Sequence, residues 1–349
     1  MNVFEKSGLA LVNRLDPEFG HEATIRALKL GLVWGTGPVS TSRTRTTLAG
    51  IQLPNPVGFA AGLDKNAEVI RPLLATGAGF LEVGAVTPKP QAGNRKPRLF
   101  RLAKDRAIIN RMGFNSDGAA AVASRLSRYQ GSGVVGLNLG SNTESPDPGK
   151  DFAGVIEACG PYVSFATINV SSPNTRGLRR FQQADALGAI ADRVVFASRR
   201  LQRPVPVFVK ISPDLDDTEL RDVVSAILSS GLSGVIATNT TTDRSGLTDA
   251  LAAESGGLSG KPLLDRSTLV LSRAYSFLDG RCPVIGVGGV SSADDAYRKI
   301  RAGASAVQLY SALVYSGFSL VRTIVLELDR LLERDGFENV SRAVGADHR

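Results

Sequence analysis

Apolar positions along the chain gather into eight short runs: Pro56 to Ala60, Phe80 to Gly84, Val134 to Asn138, Phe165 to Val170, Val207 to Ile211, Gly234 to Thr238, Pro283 to Val287 and Ala306 to Tyr310. Each has the length and composition of a buried parallel strand. Between them the apolar residues change to helical spacing, as in Leu220, Val223, Val224, Ile227 and Leu228 before Gly231, or Ala296 and Ile300 before Gly303. Glycine at those positions is a helix stop. Strand and helix alternating eight times predicts an α/β protein of the (β/α)8 TIM-barrel class. An open doubly wound sheet alternates in the same way. Eight units in about 270 residues match the usual barrel length of about 250 and favour closure.

The pattern differs before the first run. Residues 1–36 read as a separate two-helix extension, split at Leu15-Asp16-Pro17-Glu18, with Asp16 as N-cap and Pro17 at the first helical position. Val3, Phe4, Leu9, Leu11, Val12 and Leu15 populate the first helix, and Ile25, Leu28, Leu32 and Trp34 form a stripe on the second. That face exceeds what two short helices bury between themselves. It either packs on the barrel or dips into a membrane as a lid over an apolar tunnel. Residues 37–349 then form the barrel domain, in which 42–53 read as a hairpin plugging the base and Leu320 to Leu332 as a closing helix. The segment Thr87 to Phe114, with Pro88, Pro90 and Pro97, reads as a structured loop over the active-site face.

Composition narrows the class. A chain of 349 residues, 43% hydrophobic and 21% charged, can bury a full core without metal or disulfide. Its two cysteines, Cys159 and Cys282, stand in dissimilar contexts, which speaks against a disulfide framework or zinc site and for a reducing compartment. The net charge of +8 suits an acidic partner (nucleic acid, an anionic membrane, or a phosphate cofactor with a carboxylate substrate) and equally an ordinary basic surface. No signal-peptide pattern and no run of ~18 or more apolar residues is present, so a spanning helix is not expected.

In such a barrel, function sits at the C-terminal ends of the strands. Here those ends are polar: Ala61-Gly62-Leu63-Asp64-Lys65 after the first, then Asn138, Asn169, Lys210, Thr238-Asn239-Thr240 and Tyr310-Ser311. The seventh run ends in Gly286-Val287-Gly288-Gly289, where backbone N–H groups can approach a phosphate. The Rossmann pattern with its following acid is absent, which disfavours NAD as the resident nucleotide.

These residues resemble a known family. The runs Ala60-Ala61-Gly62-Leu63-Asp64-Lys65, Asn110-Arg111-Met112-Gly113-Phe114-Asn115, Asn169-Val170-Ser171-Ser172-Pro173-Asn174-Thr175, Gly256-Gly257-Leu258-Ser259-Gly260 and Gly286 to Gly289 are similar, in order and spacing, to dihydroorotate dehydrogenases. The resemblance extends over essentially the whole chain and is to the quinone-reducing, membrane-associated class 2. It implies oxidation of dihydroorotate to orotate on FMN, in pyrimidine synthesis, with electrons passed to a membrane quinone.

The resemblance also implies roles. Ser172 is the base, aided by Thr175 and by a water beside Phe114. Lys65, Asn110, Arg111, Met112, Gly113, Phe114, Asn169, Asn174, Asn239 and Thr240 bind substrate, the asparagine amides both donating and accepting against an imide edge. FMN falls to Ala61, Ala85, Asn138, Asn169, Lys210, Thr238, Gly260, Gly289, Tyr310 and Ser311. Lys210 would stand near the flavin N1 and O2, where its charge favours the reduced ring. Ala85 departs from the family's Thr or Ser, leaving only a backbone contact. His21, Arg98 and Tyr310 match the inner end of the quinone tunnel. No metal is implied.

Soluble members of the family carry cysteine where Ser172 stands and use fumarate or NAD; the serine and the N-terminal helices speak against that alternative. A dihydrouridine-synthase-like RNA-binding flavoprotein would need a cysteine acid and an RNA-binding domain, so nucleic acid is not an expected partner. A non-catalytic flavin module would not need four convergent asparagines. The expectation is a monomer held peripherally, through lipid contact, at the cytoplasmic face of the cell membrane.

Overall fold

The computed structural model describes residues 3–33, 35–172, 174 and 182–349. In chain order its strands are β1 (Thr46–Leu48), β2 (Ile51–Leu53), β3 (Val57–Phe59), β4 (Phe80–Val86), β5 (Leu99–Leu102), β6 (Ala107–Asn110) and β7 (Val134–Leu139). They continue with β8 (Phe165–Asn169), β9 (Val207–Ile211), β10 (Gly234–Ala237), β11 (Gly257–Gly260), β12 (Val284–Val287) and β13 (Ala304–Leu309). The α-helices are α1 (Val3–Val12), α2 (Pro17–Lys29), α3 (Ile70–Ala75), α4 (Ala119–Ser127), α5 (Pro148–Cys159) and α6 (Ala184–Arg199). After these come α7 (Asp217–Ser229), α8 (Leu264–Leu278), α9 (Ala293–Arg301), α10 (Leu313–Ser316), α11 (Ser319–Arg334) and α12 (Val340–Ala343).

All eight predicted runs become strands of one closed, parallel barrel, ordered β3-β4-β7-β8-β9-β10-β12-β13 and back to β3. The expected hairpin is β1–β2, and its Leu48 and Leu53 are buried at the base against Phe80, Phe165, Phe208, Ile236 and Ile285. Those three phenylalanines explain several of the glycines. Cross-strand pairing sets Phe80 opposite Gly58, Phe165 opposite Gly136 and Phe208 opposite Gly234. A Cβ on Gly136 would come within 2.1 Å of the Phe165 ring, so each large ring fills the space its partner leaves. Burying one such side chain contributes roughly 1.5–3 kcal/mol.

A second sheet was not foreseen in the pattern. Strands β5, β6 and β11 form an antiparallel sheet in the order β11-β6-β5, so the Pro-rich segment after β4 is joined to the loop after β10.

The helices begin where their caps say they should. Asp16 accepts from the backbone N–H groups of Glu18 and Phe19, at 3.0 and 3.1 Å, with Pro17 following it. The N-terminal apolar face divides between core and surface. Ile25 and Leu28 of α2 pack into the core, while α1 buries no residue. Val3, Phe4, Leu11, Phe19, Leu30 and Leu32 remain exposed. Leu32 lies beyond the end of α2, and Trp34 lies outside the described residues. The extension is nonetheless fastened to the barrel: the Ser319 N–H donates to Glu5, and Asn13 donates to the Val314 carbonyl. Most firmly, buried Arg98 pairs with buried Glu18 at 2.8 Å.

Candidate active site

A single cavity of about 1300 Å³ opens over the C-terminal ends of the barrel strands and continues up between α1 and α2. Its floor is built near the strand ends by those residues whose alternating side chains point toward the barrel axis and so face the space above the barrel core. Asn138, Asn169, Lys210, Thr238, Asn239 and Thr240 line it there, with Ala61, Lys65 and Ala85 on the near wall. The β6 end and the turn beyond it bring Asn110, Met112, Gly113 and Phe114. Ser172 and Asn174 enter from the loop after β8. Gly260, Gly289, Tyr310 and Ser311 complete the far side.

The asparagines hold one another in place. Asn174 Nδ2 donates to Asn110 Oδ1 at 3.1 Å, and Asn169 Nδ2 donates to Asn138 Oδ1 at 2.9 Å. Asn239 Nδ2 donates to Asn169 Oδ1 at 3.2 Å and to Ser171 Oγ at 2.9 Å. The Ser172 hydroxyl oxygen accepts from the Asn174 backbone N–H at 3.3 Å, which aims it and favours its deprotonated form. Its expected helper, Thr175, lies outside the described residues.

Two lysines face this polar floor. Burial pushes the Lys65 ammonium down to about 8, against the opposing pull of Glu18 and Asp64. Lys210 is likewise lowered by burial and raised by the charge of Glu82. Both therefore lose affinity for their proton unless an anion joins them, which is the condition for binding one. At the glycine-rich turn, Gly288 and Gly289 have φ of +114° and +77°, and Cβ atoms there would come within 2.7 Å of Ser267 and 2.5 Å of Leu264. The turn thus requires glycine and lies open to the cavity beside Ser311 and Gly260.

Where the cavity turns upward, His21 of α2 bridges two barrel residues. Its Nε2 is 3.1 Å from Lys65 Nζ and its Nδ1 is 3.3 Å from the Tyr310 hydroxyl. Burial, then the Lys65 charge, holds the imidazole well below its usual range, and burial pushes the Tyr310 phenol up. From this point to the exterior the walls are mainly apolar, including Leu9, Val12, Ala27 and Val33.

A profile of the dihydroorotate dehydrogenase family matches residues 43–332. The chain belongs to the dihydroorotate dehydrogenase family. It is 55% identical to a dihydroorotate dehydrogenase (quinone) of Cereibacter sphaeroides, over 99% of this chain and 98% of that protein. It is 48% identical to the Rhodopseudomonas palustris protein of the same name, over 99% and 97%. Among solved structures, the Eimeria tenella dihydroorotate dehydrogenase in complex with ferulenol superposes with a TM-score of 0.92 at 39% identity, covering 96% of both chains. Dihydroorotate dehydrogenase membership thus extends to the N-terminal helices as well as the barrel.

Two of the expected site residues turn away from the cavity. Arg111 stacks on Phe100 at 4.4 Å and pairs with Glu254 at 2.8 Å, so its side chain is committed elsewhere. Arg98, expected at the inner end of the tunnel, instead spends its guanidinium on Glu18 and the Ala92 and Asn94 carbonyls. A cation count in sequence cannot tell which side of a strand such a residue faces. Conversely, Glu82 and Gln308, fully buried within strands β4 and β13, were not singled out by sequence because each sits inside an apolar run.

Proposed function

We propose that this protein oxidises dihydroorotate to orotate on bound FMN and passes the electrons to a membrane quinone. The observation that carries this reading is the continuity of one cavity from the Ser172–asparagine floor to the apolar passage between α1 and α2. A reduced group on the floor is then open to a lipid-soluble acceptor entering from above.

The residues fit FMN. Lys210 supplies a buried cation, Gly289, Gly260 and Ser311 surround a place for the phosphate, and the buried Gln308 Oε1 in the cavity wall has no protein partner. FMN bound there would supply a two-electron acceptor for the substrate's hydride and a donor for quinone. Ser172 takes the C5 proton, with Asn174 N–H steadying its oxygen and Thr175 receiving the proton onward. Asn110, Asn169, Asn174 and Asn239 hold the pyrimidine, and Lys65 meets its carboxylate. Phe114 and Met112 cover it from water. The Arg111 contribution is confined to its backbone.

At the upper end, His21 and Tyr310 meet the quinone, and Arg98 acts at one remove by fixing α2. The exposed Val3, Phe4, Leu11 and Leu32 give residues 1–36 a lipid-facing surface. No helix among the described residues is long and apolar enough to cross a membrane. The placement proposed is that of a monomer bound peripherally at the cytoplasmic face of the cell membrane.

The test is anaerobic reduction of the yellow protein by dihydroorotate, followed by ubiquinone, menaquinone, fumarate and NAD in turn. Rapid reoxidation by a quinone alone is expected. Reoxidation by fumarate or NAD at a comparable rate would place the protein with the soluble enzymes.

A further inference from the structure

Beneath the cavity floor a carboxylate is sealed into the barrel. Glu82 of β4 is fully buried, and its two oxygens accept from Asn138 Nδ2 at 2.6 Å and Gln308 Nε2 at 2.7 Å. A carboxylate only accepts, whereas a carboxamide both donates and accepts. Glu82 therefore obliges both amides to turn their NH2 groups down and their oxygens up.

The consequence propagates. With its NH2 on Glu82, Asn138 can offer only Oδ1 to Asn169, which donates to it at 2.9 Å. Asn169 is then left with Oδ1 for Asn239, which donates at 3.2 Å. The far end agrees independently: the Thr240 backbone N–H, a fixed donor, donates to Asn239 Oδ1 at 2.8 Å. Reversing any amide would set NH2 against NH2 or oxygen against oxygen. On the other arm, the direction imposed on Gln308 leaves its Oε1 as a buried acceptor in the cavity wall.

We infer that Glu82 is a positioning residue: its acceptor-only carboxylate sets the direction of the Asn138–Asn169–Asn239 relay and of Gln308, and so the donor and acceptor pattern offered to flavin and pyrimidine. This rests on the function proposed above. Its negative charge also opposes that of Lys210 at the same floor.

Glu82→Gln is the discriminating variant, because it keeps size and shape while adding a donor that one of the two amides must turn to meet. Two quantities are read on the FMN-loaded protein. The orotate dissociation constant is expected to rise at least tenfold. The flavin midpoint potential is expected to move positive by about 30 mV or more, tenfold for a two-electron couple, because the negative charge that faces Lys210 from beneath the floor is gone. A residue that merely fills space would tolerate its own amide, so both quantities unchanged would overturn the inference. If Glu82→Gln cannot be recovered folded, Asn138→Ser cuts the relay at its first link: a tenfold loss of orotate affinity supports the inference and an unchanged affinity overturns it. The unmodified protein is measured alongside. Failure of that protein to bind FMN and orotate overturns the functional reading; success there with an indistinguishable variant overturns only the role of Glu82.

Discussion

Lys65 Nζ lies 3.1 Å from His21 Nε2, so a barrel loop and the N-terminal extension meet at the one point where the polar floor of the cavity gives way to its apolar passage. Burial is the first cause of the lowered proton affinity of both. The lysine, at about 8, is charged below that pH and neutral above it. Orotate affinity is accordingly expected to weaken above pH 8, approaching tenfold per unit, and binding near pH 8.5 to take up a proton. The stability sign is opposite to that of a salt-bridged lysine. The unfolded chain, near the ordinary 10.5, binds the extra proton between about 8 and 10.5, so this group destabilises the fold below pH 8 and the cost lifts as pH rises through that window. Calorimetric titration in two buffers of different ionisation enthalpy checks the uptake; an affinity constant from pH 7 to 9.5 contradicts it.

Ser172→Ala is expected to keep FMN and orotate binding while slowing flavin reduction by roughly 10² to 10⁴, the range for one general base. Stopped-flow reduction of the variant at a near-normal rate removes Ser172 from the mechanism.

Arg98→Met removes the buried partner of Glu18 and leaves it Lys96, at 3.1 Å, as its remaining cation. Breaking a buried pair from one side costs up to about 3–5 kcal/mol, less where a second cation remains, and here the cost falls on the seat of α2 rather than on the barrel. Quinone turnover should fall and limited proteolysis within residues 1–36 should quicken, with flavin reduction by dihydroorotate unaffected. Loss of both half-reactions together would tie Arg98 to the barrel chemistry instead. Removal of residues 1–36 should give the same split more completely.

Gly136→Ala puts a methyl group within 2.1 Å of the Phe165 ring. Overpacking of this kind costs typically 1–3 kcal/mol. Urea unfolding should show that loss, and Phe165→Leu in the same chain should recover part of it. Equal and additive losses would mean that the two residues do not share one space.

The barrel was legible because its strands are short apolar runs, and a run such as Val207 to Ile211 has few alternatives once a helical stretch stands on each side. The polar strand ends were legible for the same reason: Asn138, Asn169 and Lys210 interrupt or close such runs. What sequence did not reveal depends on closure. Glu82 and Gln308 each sit inside an apolar run and show no partner in sequence until barrel closure lets Glu82 of β4 reach Asn138 of β7 on one side and Gln308 of β13 on the other. Strands β5, β6 and β11 have four residues each, and β11 carries two glycines, which leaves too little alternation to mark a sheet. The role of the glycines at 58, 136 and 234 depends on their partners across the ladder, which show them to be vacancies for aromatic rings. Arg98 and Arg111 were legible as cations and illegible as to their facing.

The small antiparallel sheet has a mechanical consequence. Asn110, at the end proposed for the pyrimidine, is paired across the ladder with Gly257, and three residues along the same strand Gly260 stands at the end proposed for the phosphate. On that reading the two ligands would lean on one frame rather than on separate loops. A tilt of the frame would be felt at both ends, and the coupling it carried would be equal in free energy whichever ligand arrived first.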